Sequence, residues 1–381
     1  MSVPEPEDGS SPVEHGLVLV DEEIGLDLDQ QPTIRFTRKR VAGMALFVAG
    51  ALAFLYVVLP QLGGLNDTWR RLNSGDWRWL AVAFGFEVLS YASYILLLRV
   101  VIPSNKGRFD WYTSYLVTLA GVAATRLFAT AGVGGIALTA WAVRRTGLSR
   151  REVALRLTTF MVLLYSVFMV SVVIGGAGLA IGAFNGTAPI GLTVVPAVLA
   201  ATVIIVALLF ALIPANSERR LRAWSKGRGE MASLAGRVAA APTAVAGGTR
   251  LALRLIRERH PGILGAVGWW YFDIAVLWAC LQAFGWQAPI VTVIIAYFVG
   301  QLGNLVPLPG GIGGVEGVMV GSLAAFGIDA GVALVAVLSY RAFSFWLPTI
   351  PGAIAFVQLK RRTQRWVDED AEESEPSTVS G

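Results

Sequence analysis

Five ionisable residues stand inside apolar sequence: Glu87, Arg126, Asp273, Glu316 and Arg341. A charge at membrane depth is costly and is kept where it binds or pairs with something. Glu316 has the most distinctive surroundings, the stretch Gly303-Asn304-Leu305-Val306-Pro307-Leu308-Pro309-Gly310-Gly311-Ile312-Gly313-Gly314-Val315-Glu316-Gly317. Pro307 and Pro309 remove backbone donors, and glycines at this density disfavour helix. In hydrocarbon, open backbone is tolerated only where protein covers it or a water-filled cavity solvates it. The stretch therefore reads as a break between two half-helices that lines a cavity, with Glu316 near the start of the second. The alternative is a tight helix contact built on small residues, which needs neither the prolines nor the carboxylate.

The start of a half-helix carries free N–H groups and partial positive charge, which suit an anion such as phosphate. Gly310, Gly311, Gly313 and Gly314 let backbone approach a headgroup closely. The guanidinium forks of Arg126 and Arg341 suit the phosphate of an anionic lipid. The competing reading pairs both arginines internally with Glu87, Asp273 or Glu316, and both readings hold if a substrate exchanges with an internal partner. Asn304 and Gln301 can hydrogen-bond a headgroup or cap broken backbone. Tyr297, Tyr340, Trp269 and Trp270 read as packing or interface residues. The three carboxyls make proton coupling conceivable.

The elements that must hold these residues follow from composition. The chain has 381 residues, 55% of them hydrophobic and 15% charged, with a mean hydropathy of +0.61. That is an all-α polytopic membrane protein. One cysteine, Cys280, and two histidines, His15 and His260, exclude a disulfide framework and a Cys/His metal site. There is no P-loop motif, and no cofactor and no nucleic-acid partner is expected. Residues 1–34 carry nine carboxylates and no basic residue until Arg35, which reads as a disordered acidic tail and not as a cleaved signal peptide.

A transmembrane domain is expected over 35–360. Its first span, Val41 to Leu59, follows Arg35, Arg38, Lys39 and Arg40, which places that end in the cytoplasm. Further spans are expected over about 77–101, 111–127, 157–184, 190–213, 262–284, 289–302 and 330–359. Residues 215–260 hold ten arginines and lysines against three glutamates. They read as amphipathic helices on an anionic leaflet surface, or as a solvated cytoplasmic loop. Residues 361–381 read as a second disordered acidic tail.

A weak internal repeat joins two halves, about 41–184 and 190–359. Gly132, Gly134 and Gly135 match Gly311, Gly313 and Gly314 at a shift of 179 residues, and Gly121 then falls on Gly300. If each broken segment crosses the membrane, every basic cluster lies inside, as the positive-inside rule prefers. That gives about eight full spans plus two broken segments and an inverted-topology repeat, an architecture common among secondary transporters. The broken segments are short, so half-helix hairpins remain open.

From Asn304 to Gly317, followed by Arg341, Pro348 and Gly352, the chain resembles the membrane region of bacterial lysylphosphatidylglycerol synthases, which also occurs as stand-alone flippase-like proteins. The likeness covers about 40–360, and the motif P-x-P-G-G-x-G-x-x-E is fairly specific. It implies a multi-pass protein of the bacterial inner membrane, with both termini cytoplasmic, that moves a lipid between leaflets. The first copy departs from the pattern: Ala137 stands where Glu316 would align, and its break has no proline. The resemblance does not extend to aminoacylation, because the chain ends soon after its last span. Lipid transport leads. An intramembrane transferase acting on a lipid headgroup, or a membrane scaffold for a separate envelope-lipid synthase, are the alternatives, and oligomeric state is left open.

Overall fold

The computed structural model describes residues 75–104, 107–127, 133–184, 190–212, 245–305 and 313–374. The first span, the N-terminal tail, Pro307, Pro309, Gly310, Gly311, Gly132, residues 215–244 and residues 375–381 lie outside them. The described residues form helices and connecting turns, with no strand. In order these are α1 (Trp77–Val101), α2 (Trp111–Leu127), α3 (Val133–Arg144), α4 (Arg150–Ala180), α5 (Ile190–Ala211) and α6 (245–257). After a 3-10 turn at Pro261–Ile263 come α7 (Leu264–Ala283), α8 (Ile290–Gln301), α9 (Gly314–Ala325), α10 (Ala330–Arg341) and α11 (Thr349–Ser374). Five helical stretches among the described residues are long and apolar enough to cross a membrane. Polar caps start several helices: Asp76, Ser149 and Asp329 accept from Arg78, Glu152 and Val332 backbone N–H groups.

α1 and α7 form the centre and run antiparallel. The Asp76 N–H donates to the Ala283 carbonyl at 2.9 Å at one end. Ser90 donates to the Trp269 carbonyl at 2.9 Å in the middle. At the other end a Cβ on Gly262 would overlap Val100. Small residues make this closeness possible, since a Cβ on Gly265 would sit 2.9 Å from the Leu97 nitrogen. Phe86 stacks on Phe272 and Trp79 meets Trp278 edge-on along the same seam.

Two helical hairpins flank this pair. In the first, α2 and α3 pack antiparallel, and a Cβ on Gly135 would meet the Gly121 carbonyl at 2.7 Å. In the second, α8 and α9 do the same. Gly303 lies against Gly314 so closely that its Cβ would be 2.6 Å from the Val315 nitrogen, and Gly300 would crowd Met319 at 2.8 Å. Glycines at the described edges of both breaks thus bring each pair of helices together. Gly313, at φ 88°, turns the chain into α9 in a conformation that favours glycine. α4 packs on α5 through Gly176, whose Cβ would sit 2.8 Å from Ala197. α6 lies against the start of α4 at Thr158.

The last span departs from a regular helix. A π-helical turn at Ala342–Trp346 separates α10 from α11, with the Leu347 N–H reaching the Ala342 carbonyl at 2.9 Å. Residues 361–374, expected as a disordered tail, are instead helical in α11. The reason is burial and pairing: Thr363 and Trp366 are buried, and Arg108 binds Asp370 at 2.6 and 2.9 Å while lying over the Trp366 ring. Asp110 caps α2 by accepting from the Thr113 N–H at 2.7 Å and from Arg362 at 2.8 Å. Partial burial pushes the Asp110 carboxyl up, but the Thr113 and Arg362 bonds outweigh it and hold it below the ordinary carboxylate value.

Candidate functional site

The five charged residues converge where the second hairpin tip meets the π-helical turn. Glu316 is the third residue of α9. Its Oε2 accepts from the Gly313 N–H at 2.8 Å, closing the tip, and its Oε1 accepts from Arg341 Nε at 2.6 Å. Both side chains of this ion pair are nearly buried, with 7% and 11% of their area exposed. The guanidinium carbon of Arg341 lies 4.4 Å from the centre of the Phe345 ring. Phe345 is four residues further on, one helical turn away. Arg341 Nη2 is buried without a hydrogen-bond partner among the described residues.

The Arg126 guanidinium also lies over this ring, 4.7 Å from its centre. Its donors are filled differently. They go to the backbone carbonyls of Ser344 and Phe345, to Thr349 Oγ1 at 3.0 Å and to the Tyr91 hydroxyl at 3.3 Å. In a regular helix the Ser344 carbonyl would accept from residue 348, and Pro348 has no N–H to give. Arg126 therefore satisfies backbone that the proline and the π-turn leave open, and it is paired with none of the three carboxylates. Internal pairing holds for Arg341 and Glu316 only.

Glu87 and Asp273 face one another across the antiparallel α1–α7 seam, one turn from the Ser90–Trp269 contact. Both are buried, at 4% and 7% exposure. Tyr297 and Tyr340 donate their hydroxyls to Asp273 Oδ2, the latter at 2.9 Å. From sequence alone these tyrosines read as packing or interface residues. The available signal was that a phenol at span depth needs a hydrogen-bond partner. Phe345 and Tyr91 were also not singled out. Asn304 binds the Gln301 carbonyl at 3.2 Å and the Gln301 side chain at 3.0 Å, so it caps the end of α8. Gly313 and Gly314 shape the tip, while Pro307, Pro309, Gly310 and Gly311 lie outside the described residues.

Chemically, the cluster offers a buried guanidinium with one open donor beside a half-helix start. It also offers a carboxylate tied to that start and a separate carboxyl pair held by two phenols. The comparison with known proteins agrees with this membrane architecture. The family described as lysylphosphatidylglycerol synthase TM region matches residues 41–352. A UPF0104 membrane protein of Methanothermobacter thermautotrophicus is 38% identical over 106 residues, 27% of this chain and 30% of that protein. Another, from Methanocaldococcus jannaschii, is 33% identical over 95 residues, covering 25% and 28%. The chain spans less than a third of the length of these relatives in each match. The family match covers most of the chain, which therefore belongs to the lysylphosphatidylglycerol synthase transmembrane-region family.

Proposed function

We propose that this membrane protein moves a phosphate-bearing lipid between the leaflets of the cell membrane, as a transporter and not as an enzyme. The observation that carries this is Arg341. Its Nε is held by Glu316, its plane lies on Phe345, and its buried Nη2 has no partner. Leaving a buried donor unfilled costs about 1–3 kcal/mol, and a phosphate oxygen would remove that cost. The start of α9, where Glu316 sits, adds the partial positive charge of a helix N-terminus.

The arrangement of elements supports an alternating-access reading. α2 starts at Trp111 and α8 at Ile290, which are 179 residues apart, the shift at which the glycines align. Ser90 bonds Trp269, also 179 residues away. A position touching its own repeat equivalent is what a two-fold axis through that point produces. Because α1 and α7 are antiparallel, that axis is perpendicular to the helices and lies in the membrane plane. The halves are then an inverted repeat, and the hairpins are re-entrant from opposite sides with their tips near the midplane. Both termini are cytoplasmic in this reading. Arg250, Arg254 and Arg257 of α6 line a groove of about 540 Å³ with the end of α5 and face anionic lipid of the inner leaflet.

Native mass spectrometry of lipids that co-purify with the protein tests the assignment. The wild type is expected to retain phosphate-bearing lipid and Arg341→Gln to lose it. Equal retention by both, or retention of only neutral lipid, would sink the proposal.

A further inference from the structure

We propose that Glu87 and Asp273 form a proton-binding site that holds one shared proton. The proposal goes beyond the lipid reading, because it concerns a ligand and a pair of side chains that lipid binding does not use. The two carboxyls lie buried opposite one another across the antiparallel α1–α7 seam, one turn from the Ser90–Trp269 contact, and a proton held between them would let one donate to the other. Asp273 Oδ2 is already occupied by the Tyr297 and Tyr340 hydroxyls. Glu87 is 96% buried by the complement of its 4% exposure, and its Oε2 has no partner.

Charge leads to the same place. The described cluster holds three carboxyls, Glu87, Asp273 and Glu316, and two guanidiniums, Arg126 and Arg341. Arg341 is bonded to Glu316. Arg126 spends its hydrogen bonds on Ser344, Phe345, Thr349 and Tyr91, and reaches Glu87 only through its field. One negative charge is therefore left over, and one proton on the pair removes it. The other titratable side chains around the pair are three phenols and a thiol: Tyr91 from α1, Cys280 from α7, Tyr297 from α8 and Tyr340 from α10. From α4, Tyr165 turns to Trp270 instead. Two carboxylates sharing one site do not both ionise, which is how paired acids hold a proton at neutral pH.

The site also lies at the seam that relates the two halves. Glu87 is on α1 and Asp273 on α7, so the two carboxyls separate if the halves move against each other. Separation would release the shared proton, and rejoining would require one to be taken up.

Infrared difference spectroscopy of the purified full chain in nanodiscs tests this without any transport measurement. The C=O stretch of a protonated carboxyl is followed in D2O at pH 7 and during a titration to high pH. The wild type is expected to show one buried protonated carboxyl whose band is lost or displaced in Glu87→Gln and in Asp273→Asn, and kept in Glu316→Gln. Glu87→Gln keeps the shape and the neutral charge of the protonated form, so it covers the case in which Asp273→Asn fails to fold. No such band in the wild type, or a band indifferent to both substitutions, would overturn the proposal. So would a response to sodium chloride at fixed pH that choline chloride does not reproduce, which would make the site one for a metal cation. A protein with the band but no lipid movement would remove the transport reading and leave the proton site in place.

Discussion

The two hairpins share a backbone plan and differ in chemistry. Both bring antiparallel helices together on glycines, Gly121 with Gly135 in the first and Gly303 with Gly314 in the second. Each is tied to an arginine that lies over Phe345: the first carries Arg126, and the second holds Arg341 of α10 through Glu316. Arg126 is saturated by carbonyls and hydroxyls, and Ala137 stands where the second copy has Glu316. Arg341 shares a carboxylate and keeps an open donor. One arginine thus ties the first hairpin to the π-helical turn, while the other is paired with a carboxylate and keeps a donor that the proposed lipid phosphate would fill.

The largest effect is expected at the ion pair itself. Glu316→Ala leaves Arg341 buried without its carboxylate, and removing one partner of a buried pair costs about 3–5 kcal/mol. Thermal unfolding of the purified protein in detergent should show a large loss of stability. Ala at 316 with unchanged unfolding would mean that water or lipid already solvates Arg341.

Lysine substitutions separate the two arginines. Arg126→Lys opens the Ser344 and Phe345 carbonyls and should lower stability by about 1–3 kcal/mol. Arg341→Lys keeps the charge but removes the planar fork, so lipid movement should fall by about tenfold or more with a smaller loss of stability. The same stability loss for both would erase the distinction between scaffold and site.

Glycine-to-alanine changes test the tip packing. Gly303→Ala places its Cβ 2.6 Å from the Val315 nitrogen, a backbone atom that cannot swing away. It should cost about 1–3 kcal/mol. Gly321→Ala on the same hairpin meets nothing within 4 Å and should stabilise α9 by about 0.5–1 kcal/mol. Equal effects in unfolding experiments would show that the α8–α9 contact is looser than described.

The smallest effect is at the base of the first hairpin. The Asp110 carboxyl is held below its ordinary value, so its stabilisation is present above the unfolded pKa of about 4 and is lost as pH falls through the lower folded value. Asp110→Asn keeps a helix cap and loses the charge pair with Arg362, worth at most about 1 kcal/mol at this exposure. Unfolding at neutral pH and near pH 3 should differ less in the variant than in the wild type. An unchanged difference would assign the acid sensitivity elsewhere.

Much of this was legible in the sequence because hydrocarbon is an unforgiving solvent. The five charges in apolar runs identified the cluster, and the glycines of both tips identified the breaks. Whether a break returns beside its own helix was not legible, because that depends on the close approach of Gly121 to Gly135 and of Gly303 to Gly314. The partners of Arg126 were hidden for a similar reason. Two of the four are backbone oxygens, exposed by Pro348 and the π-turn more than 200 residues away in sequence. The helix over 361–374 is not legible because acidic composition hides its contacts with Arg108 and Asp110 in a distant part of the chain. Asp273 was found but its phenols were not, since an aromatic at span depth usually marks packing.

The most direct measurement is a leaflet assay. The purified protein is reconstituted in liposomes carrying fluorescent anionic, zwitterionic or cationic phospholipids, and an impermeant quencher reports the outer leaflet. The wild type is expected to equilibrate a phosphate-bearing lipid faster than empty liposomes do, and Glu316→Gln to abolish the difference while still inserting and folding. Wild-type rates in Glu316→Gln, or no lipid moved faster than in empty liposomes, would contradict the account.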